Sequence, residues 1–211
     1  FGLSPLFIVV LAILTAIAPL ATDMYLAALP AVAEDLNTTS TNASLTLSAF
    51  MVGMALGQLV VGPLSDKTGR RKPLLFGVVV CFIATVACGF SPNIELLIFA
   101  RFMMGFTGSI GAVLARSIVT DTTQGLATAK LMGIMMMING FAPVLAPLFG
   151  GWVLSWGNWR DIFHVLGVVT ALMMLGVVFV VKETLPVEER YQGSALSVYS
   201  ELPKVFTVRR Y

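Results

Sequence analysis

Two ionisable side chains lie inside long apolar runs of the sequence, and they are the first candidates for chemistry. Asp23 interrupts an apolar run over residues 4–33, and Arg101 lies within a run over residues 94–119. Runs of this length predict membrane-spanning helices, in which a charged side chain is costly and usually functional. A buried carboxylate can exchange a proton near neutral pH, because burial disfavours its ionised form. We therefore predict that Asp23 is a proton site.

Each of these two charges also has a simpler interpretation. Asp23 would be an interfacial residue if the first span ended before Thr22, but residues 24–33 continue the apolar run without a charge. Arg101 would be structural if it paired with a helix C-terminus or a backbone carbonyl. Counted from the predicted outer helix ends at 1.5 Å per residue, the two side chains differ in depth by about 7 Å. If their helices are neighbours, the opposite charges would lower each other's cost of burial.

The composition indicates a membrane protein. Of 211 residues, 57% are hydrophobic and only 11% are charged, and the mean hydropathy is +0.91. Soluble domains usually carry about 25% charged residues. The net charge of +2 is too small to indicate a nucleic-acid partner. One histidine and two cysteines, the latter within one apolar run, form no metal-ligand pattern. We expect no metal, no cofactor and no enzymatic activity.

Six apolar runs are long enough to cross a bilayer. Eleven of the basic residues fall on one side of these runs and only Arg160 on the other, which predicts that the basic side and both chain ends are cytoplasmic. The fold class predicted is an all-α membrane protein, with a six-helix domain over residues 1–182 and a cytoplasmic linker over residues 183–211. The predicted spans are residues 4–33, 43–64, 74–90, 94–119, 131–154 and 162–181. Glycines in the second and fourth spans, such as Gly53 and Gly105, would let helices approach closely.

The loop between the second and third spans carries a motif as well as charge. Residues 62–73 read GPLSDKTGRRKP. A solvated turn is the simplest interpretation, but the spacing G-x-L-x-D-x-x-G-R-R resembles the loop between the second and third helices of major facilitator superfamily transporters. The resemblance implies a cytoplasmic gate that contains Gly62, Asp66, Gly69, Arg70 and Arg71.

Three further motifs resemble parts of the same superfamily. ATDMYLAALP at residues 21–30 resembles the D-M-Y-L-x-A-L-P signature of Bcr/CflA-type drug:proton antiporters, and RFMMG at residues 101–105 resembles the R-x-x-x-G motif of proton-coupled members. Arg116 and Asp121 resemble an R-x-x-x-x-D pair that joins the gate. APVLAPLFGG at residues 142–151 is similar to the antiporter motif G-x-x-x-G-P-x-x-G-G, with alanine at its first two glycines. The matching positions here are Pro143, Pro147, Gly150 and Gly151.

The resemblance implies a structure and a function. The structure would be the N-terminal six-helix half of a twelve-helix transporter, with a 3+3 inverted repeat that the sequence itself does not display. The function would be multidrug efflux from a bacterial cell across the inner membrane, as in antibiotic resistance. Hydrophobic or amphiphilic drugs of the chloramphenicol or bicyclomycin type would be exchanged for protons, and the proton gradient would drive export without a cofactor.

The expected partners follow from that function. They are a small-molecule drug, protons, the lipid bilayer and a C-terminal six-helix half. Asp23 and Arg101 would couple proton movement, and the substrate would contact Tyr25, Met135, Asn139 and Pro143. Methionines suit a pocket that accepts many shapes, and the amide of Asn139 could orient a ligand. Proton-coupled uptake of a small metabolite and a non-transporting membrane scaffold are the alternatives.

Overall fold

Over residues 4–191, which are the residues that the computed structural model describes, the chain forms α-helices and no strands. Six helices are long and apolar enough to cross a membrane, which confirms the number of spans predicted. The elements are α1 (Pro5–Leu26), α2 (Leu29–Asp35), α3 (Ser40–Thr68), α4 (Arg71–Gly89), α5 (Ile94–Thr122), α6 (Leu126–Trp156), α7 (Trp159–Val180) and a short 3₁₀ turn (Val187–Glu189).

The first predicted span is two helices rather than one. α1 ends at Leu26, and the short helix α2 begins at Leu29 with Pro30 in its first turn. Proline lacks an N–H, and its ring clashes with the carbonyl four residues earlier, which here belongs to Leu26. The prediction of one helix to residue 33 is therefore wrong. Asp23 lies about one turn from the end of its helix, nearer to that end than the sequence indicated.

Other helix ends differ from the prediction by smaller amounts. The largest difference is at the start of α6, which begins at Leu126 rather than at residue 131. Residues 120–130, predicted as a cytoplasmic stretch, are mostly helical, and only residues 123–125 join α5 to α6. Hydropathy marks the limits of an apolar run. Alanine-containing segments such as LATAK, at the start of α6, extend a helix outside those limits.

The helices pack in a pattern that repeats within the bundle. α1 packs against α6 and α7, and α5 packs against α3 and α4. α1 also contacts α5, and α4 contacts α7. If α1 is exchanged for α5, α3 for α6 and α4 for α7, the same set of helix contacts results. The equivalent helices α1 and α5 run in opposite directions. This is the 3+3 inverted arrangement that the resemblance implied.

Glycines allow two of these helix pairs to approach closely. Gly53 on α3 lies against the backbone of Phe102 on α5, and Gly105 on α5 lies against the backbone of Phe50 on α3. A Cβ atom at either glycine would overlap a carbonyl group of the facing helix. Gly150 on α6 is equally close to the backbone of α1. The predicted role of Gly53 and Gly105 in helix packing is confirmed.

The bundle has two chemically different ends. The basic end comprises residues 66–72, where α3 joins α4. At the other end, the α2 end, the carboxylate of Asp35 accepts hydrogen bonds from the side chains of Arg160 and Trp159. The hydrogen bond from Arg160, and then that from Trp159, lower the pKa of Asp35 below its ordinary value. Arg160 also donates to the carbonyl of Ser91 at 3.1 Å, so one side chain joins α2, α7 and the turn between α4 and α5.

Candidate functional site

A cavity of about 310 Å³ lies among α1, α3, α5 and α6. Methionines 51 and 54 form part of its apolar wall. A polar cavity between membrane-spanning helices is where a transporter would hold its cargo, since charged and hydrogen-bonding groups are costly elsewhere in the bilayer. Its polar lining consists of Thr15, Thr22, Asp23, Gln58, Arg116 and Asn139.

Helix geometry orders these side chains along the cavity. Thr15, Pro19 and Asp23 line it from α1 at intervals of four residues, so they follow one face of the helix over about 12 Å. α1 runs toward the α2 end, which places Asp23 at that end of the cavity. α3 and α5 run in the opposite direction, so Gln58 and Arg116 lie toward the basic end. Because Pro19 has no N–H, the carbonyl of Thr15 lacks its usual helical partner.

Asp23 is a half-buried carboxylate on the cavity wall. Among residues 4–191, no basic side chain lies within ion-pair distance of Asp23. Asn139 faces the same cavity, and its amide nitrogen donates to the carbonyl of Met135 at 2.8 Å. That bond leaves the side-chain oxygen of Asn139 as an acceptor. The cavity thus combines the carboxylate of Asp23, the guanidinium of Arg116 and neutral hydrogen-bonding groups.

Arg101 is fully buried and does not pair with Asp23. Its Nη1 atom donates to the carbonyl of Ala21 on α1 at 2.9 Å, and its guanidinium lies 4.3 Å from the ring centroid of Tyr25. The ring of Phe50 is 4.7 Å away. α1 and α5 are neighbours, as the pairing hypothesis required, but Asp23 is about 200° around α1 from Ala21. The simpler interpretation, a bond to a backbone carbonyl, is what the structure shows.

Of the four residues predicted to contact substrate, only Asn139 lines this cavity. Tyr25 is in the core, where its hydroxyl is 2.9 Å from the hydroxyl of Thr46. Met135 is 5% exposed and packs in the same core. Pro143 is exposed on α6 outside the cavity lining. Residue type indicated that Tyr25, Met135 and Pro143 contact substrate. Their angular positions around α1 and α6 instead place their side chains outside the cavity lining.

Sequence reasoning missed most of the cavity lining, including Met51, Met54 and Gln58 on α3. They are separated by three and four residues, so they share one face of that helix. The available signal was Gln58, a lone amide in an otherwise apolar run and one helical turn from Met54.

At the basic end, Arg70 holds two carboxylates from different helices. Its guanidinium donates to Asp66 at 2.5 Å and to Asp121 at 2.9 Å, and also to the hydroxyl of Ser65 at 2.8 Å. Burial lowers the pKa of Arg70, but hydrogen bonds and attraction from Asp121 and Asp66 outweigh it and raise the pKa above its ordinary value. Gly69 has a φ of 90° and makes the turn predicted at this position. The structure therefore brings together the central members of the predicted gate.

Three other predicted gate residues lie apart from that ion cluster. Gly62 is within α3 rather than in the loop, and Arg71 starts α4, where its side chain donates to the carbonyl of Val178 at 3.3 Å. Arg116 lines the cavity and forms no ion pair among residues 4–191. Five residues separate Arg116 from Asp121, which places the two about 140° apart around α5. They cannot both face the loop, so the grouping of Arg116 with the ion cluster is wrong.

Glu183 is a member of the basic end that sequence reasoning missed. Its carboxylate accepts hydrogen bonds from the backbone N–H groups of Arg70 at 2.8 Å and Arg71 at 3.4 Å, so it caps the N-terminus of α4. Burial raises the pKa of Glu183, but backbone N–H groups of Leu185, Arg70, Arg71 and Thr184 outweigh it and lower the pKa below its ordinary value. The first part of the predicted linker, residues 183–191, thus packs against the loop, whereas residues 192–211 lie outside the described residues.

Six helices long and apolar enough to cross a membrane, an inverted packing pattern, a partly polar cavity between four of the helices and an ion cluster at one end are the features of a multi-pass membrane transporter domain. Comparison with known families agrees with this class. The sequence model of the Major Facilitator Superfamily matches residues 11–209, and the chain belongs to that superfamily.

Relatives cover the chain well but are about twice its length. The chain is 42% identical over 186 residues to an uncharacterized MFS-type transporter, YdgK, of Bacillus subtilis, covering 87% of the chain and 46% of that protein. It is 32% identical over 185 residues to a bicyclomycin resistance protein homolog of Haemophilus influenzae, covering 88% and 46%. It is 31% identical over 168 residues to the multidrug resistance protein MdtL of Citrobacter koseri, covering 80% and 43%.

A solved structure supports the fold. The human organic anion transporter MFSD10 (TETRAN) superposes with a TM-score of 0.66 at 19% identity, over 89% of the chain and 49% of that protein. At this identity the similarity shows the fold alone.

Proposed function

We propose that the chain forms the N-terminal half of a proton-coupled exporter of hydrophobic or amphiphilic drugs. The observation that carries this proposal is Asp23, a titratable group on the wall of a partly polar cavity, with no cation within ion-pair distance of it among residues 4–191. The relatives named for bicyclomycin resistance and multidrug resistance support the choice of drugs as substrates. The membrane is the bacterial inner membrane, with the basic end in the cytoplasm.

Exchange of drug for proton follows from competition at Asp23. A proton that binds the carboxylate neutralises it, and a cationic or strongly polar drug in the cavity favours the ionised form. Drug entry therefore releases the proton, and reprotonation from the opposite side of the membrane releases the drug. Asn139 supplies a neutral acceptor in the same cavity, and the methionines of α3 supply an adaptable apolar wall.

The ion cluster at the basic end supplies the second requirement of transport, which is closure of one side. Arg70 bridges α3 and α5 through Asp66 and Asp121, and Thr184 donates to the same Asp121 carboxylate at 3.2 Å. We propose that this cluster closes the cytoplasmic side when a second six-helix half completes the transporter. Alternating access then requires the cluster to form in one state and to open in the other.

Replacement of Asp23 by asparagine tests the proposal in a complete transporter that contains this chain. Asp23→Asn keeps the size and hydrogen bonding of the side chain but cannot titrate, so we expect proton-driven export to fall to the level of cells without the transporter while drug binding persists. Drug-induced proton release from purified protein should disappear as well. Glu95→Gln is the matched control, because it removes a carboxylate on an exposed first turn of α5, away from the cavity.

Two outcomes would contradict parts of this proposal. Unchanged resistance and unchanged proton release in Asp23→Asn would exclude Asp23 as the proton site. Drug accumulation in right-side-out vesicles under a proton gradient would indicate uptake rather than export.

A further inference from the structure

Arg116 is a charged cavity residue to which the proposed exchange of drug for proton assigns no role. Its side chain is exposed and lines the same cavity as Asp23. The ion cluster at the basic end is complete without it, because Arg70 already holds both Asp66 and Asp121. Arg116 is therefore available to a ligand in the cavity.

The two charges of the cavity are separated along its length. Asp23 lies at the α2 end and Arg116 lies toward the basic end, because α1 and α5 run in opposite directions. They form no ion pair with each other, so neither charge neutralises the other. Gln58 on α3 lines the cavity near its basic end, and Met51 lines it nearer to Asp23. A ligand that spans this cavity meets a carboxylate at one end and a guanidinium at the other.

Charge complementarity indicates which ligands fit such a cavity. A guanidinium presents a planar fork of N–H donors that matches a carboxylate in two parallel hydrogen bonds, which a lysine ammonium cannot reproduce. A carboxylate at the other end favours an ammonium group or a protonated amine. A purely cationic ligand would gain at Asp23 but would be repelled by Arg116.

We propose that Arg116 is a specificity-determining residue that binds the anionic group of zwitterionic amphiphiles, whose cationic group lies toward Asp23. This inference rests on the proposed function and deepens it, because it names a substrate class for the same cavity. The substrate class is an amphiphile with a carboxylate and an amine separated by an apolar body.

The experiment compares two probes that differ by one charge. Norfloxacin is a fluorescent zwitterion with a carboxylate and a secondary amine, and its ethyl ester keeps the ring system and the amine but lacks the carboxylate. Binding of each to the purified complete transporter is measured for the wild type, Arg116→Gln, Arg116→Lys and the control Lys130→Gln. Lys130 is an exposed cation near the basic end and outside the cavity lining.

We expect the wild type to bind norfloxacin more tightly than its ester. Arg116→Gln should weaken norfloxacin binding by about tenfold or more, because a charge-assisted bidentate contact is lost, and should change binding of the ester by less than about threefold. Arg116→Lys should restore part of the affinity for norfloxacin, and Lys130→Gln should change neither affinity.

Three results would overturn the inference. The first is a wild type that binds neither probe or prefers the ester. The second is an equal loss of both affinities in Arg116→Gln, which would indicate a structural role or pairing with the second half. The third is no loss of either affinity. Failure of the proposed function is distinguishable, because it would appear as wild-type protein that exports no drug in exchange for protons, whatever the affinities of the two probes.

Discussion

Asp23 lies on one face of α1 and Arg101, on α5, contacts the opposite face, and their surroundings give the two charges different chemistry. Asp23 faces a cavity, so in the proposed mechanism a proton on its carboxylate could exchange with water or be displaced by a ligand. Arg101 is enclosed by the rings of Tyr25, Phe50 and Phe163 and bonded to one backbone carbonyl. These contacts stabilise a cation that has no counter-ion among residues 4–191, and they join α5 to α1 at the level of Ala21. In the proposed mechanism, Arg101 would therefore act on Asp23 through the position of α1 and not by direct contact.

At the basic end, Arg70 binds two carboxylates. One of them can therefore be removed to test the role of the ion cluster without loss of the fold. In a complete transporter, Asp66→Ala should lower drug export strongly, because the bridge between α3 and the loop is broken. Expression should persist, since Asp121 still holds Arg70 and an exposed ion pair contributes about 1 kcal/mol or less to stability. Export from cells and protein level in membranes are the measurements, with Lys67→Ala as the control on the neighbouring exposed residue. Full export in Asp66→Ala would show that the ion cluster is not a gate.

Residue type and motif spacing predicted where some of the candidate site residues lie, but not where others lie. A carboxylate in an apolar run marked Asp23, and the motif spacing marked Arg70 with Asp66. The position of Tyr25 in the core was not predictable, because a shift of two residues along a helix turns a side chain by about 200°. Arg116 shows the same limit, since its motif partner lies on another face of α5.

At the scale of elements, the N-terminus of α4 depends on a residue more than 100 positions away. The first N–H groups of a helix have no partner within it. Those of Arg70 and Arg71 donate to the carboxylate of Glu183, which follows α7 and is itself 3.5 Å from Arg190. The negative charge also interacts favourably with the positive end of the helix dipole. The end of α7 and the start of α4 are thus held together at the basic end.

Loss of this cap should be visible in the exchange of backbone hydrogens. Glu183→Gln should increase deuterium uptake in a peptide covering residues 69–72 several-fold, because the amide accepts more weakly than the carboxylate. The pKa of Glu183 is below its ordinary value of 4.5, so the contact is fully present above that pH and is lost as the pH falls through the lowered pKa. The wild type should therefore approach the variant in acid once intrinsic exchange rates are corrected. Glu189→Gln is the control, and equal uptake in both variants would contradict the role of Glu183.

Membrane spans were predictable in number, but the number and bounds of the helices were not fully predictable. Hydropathy located six spans because the bilayer requires about 20 apolar residues for each. It joined α1 to α2 because an apolar run continues through the break, and only the backbone chemistry of Pro30 ends the first helix at Leu26. The contact between Glu183 and α4 depends on tertiary packing, which no local pattern contains.

At the scale of the whole molecule, the bundle exposes large apolar side chains in places that a soluble protein would cover. α3 and α6 occupy equivalent positions in the inverted arrangement, and both have exposed apolar faces; Leu59 on α3 is 58% exposed and Leu148 on α6 is 68% exposed. Lipid covers such faces in a membrane. In the proposed transporter, a second six-helix half would cover the open side of the cavity and part of these faces. The inverted packing itself could not be read from the sequence, because the two groups of three helices share no visible repeat.

The orientation of the molecule in the membrane is the remaining property that the proposed function requires. The distribution of basic residues predicts that the basic end is in the cytoplasm, which would place Asp23 toward the outer side and Arg70 toward the inner side. Single cysteines test this directly, since the native Cys81 and Cys88 are buried. Ser40→Cys at the start of α3 and Gln124→Cys between α5 and α6 are both exposed and lie at opposite ends of the bundle. In intact cells that express the complete transporter, a membrane-impermeant maleimide should label Ser40→Cys, and Gln124→Cys should react only after the cells are permeabilised. Labelling in the reverse order would place the basic end outside. The ion cluster would then close the outer face, and the proposed direction of proton and drug exchange would have to be inverted with it.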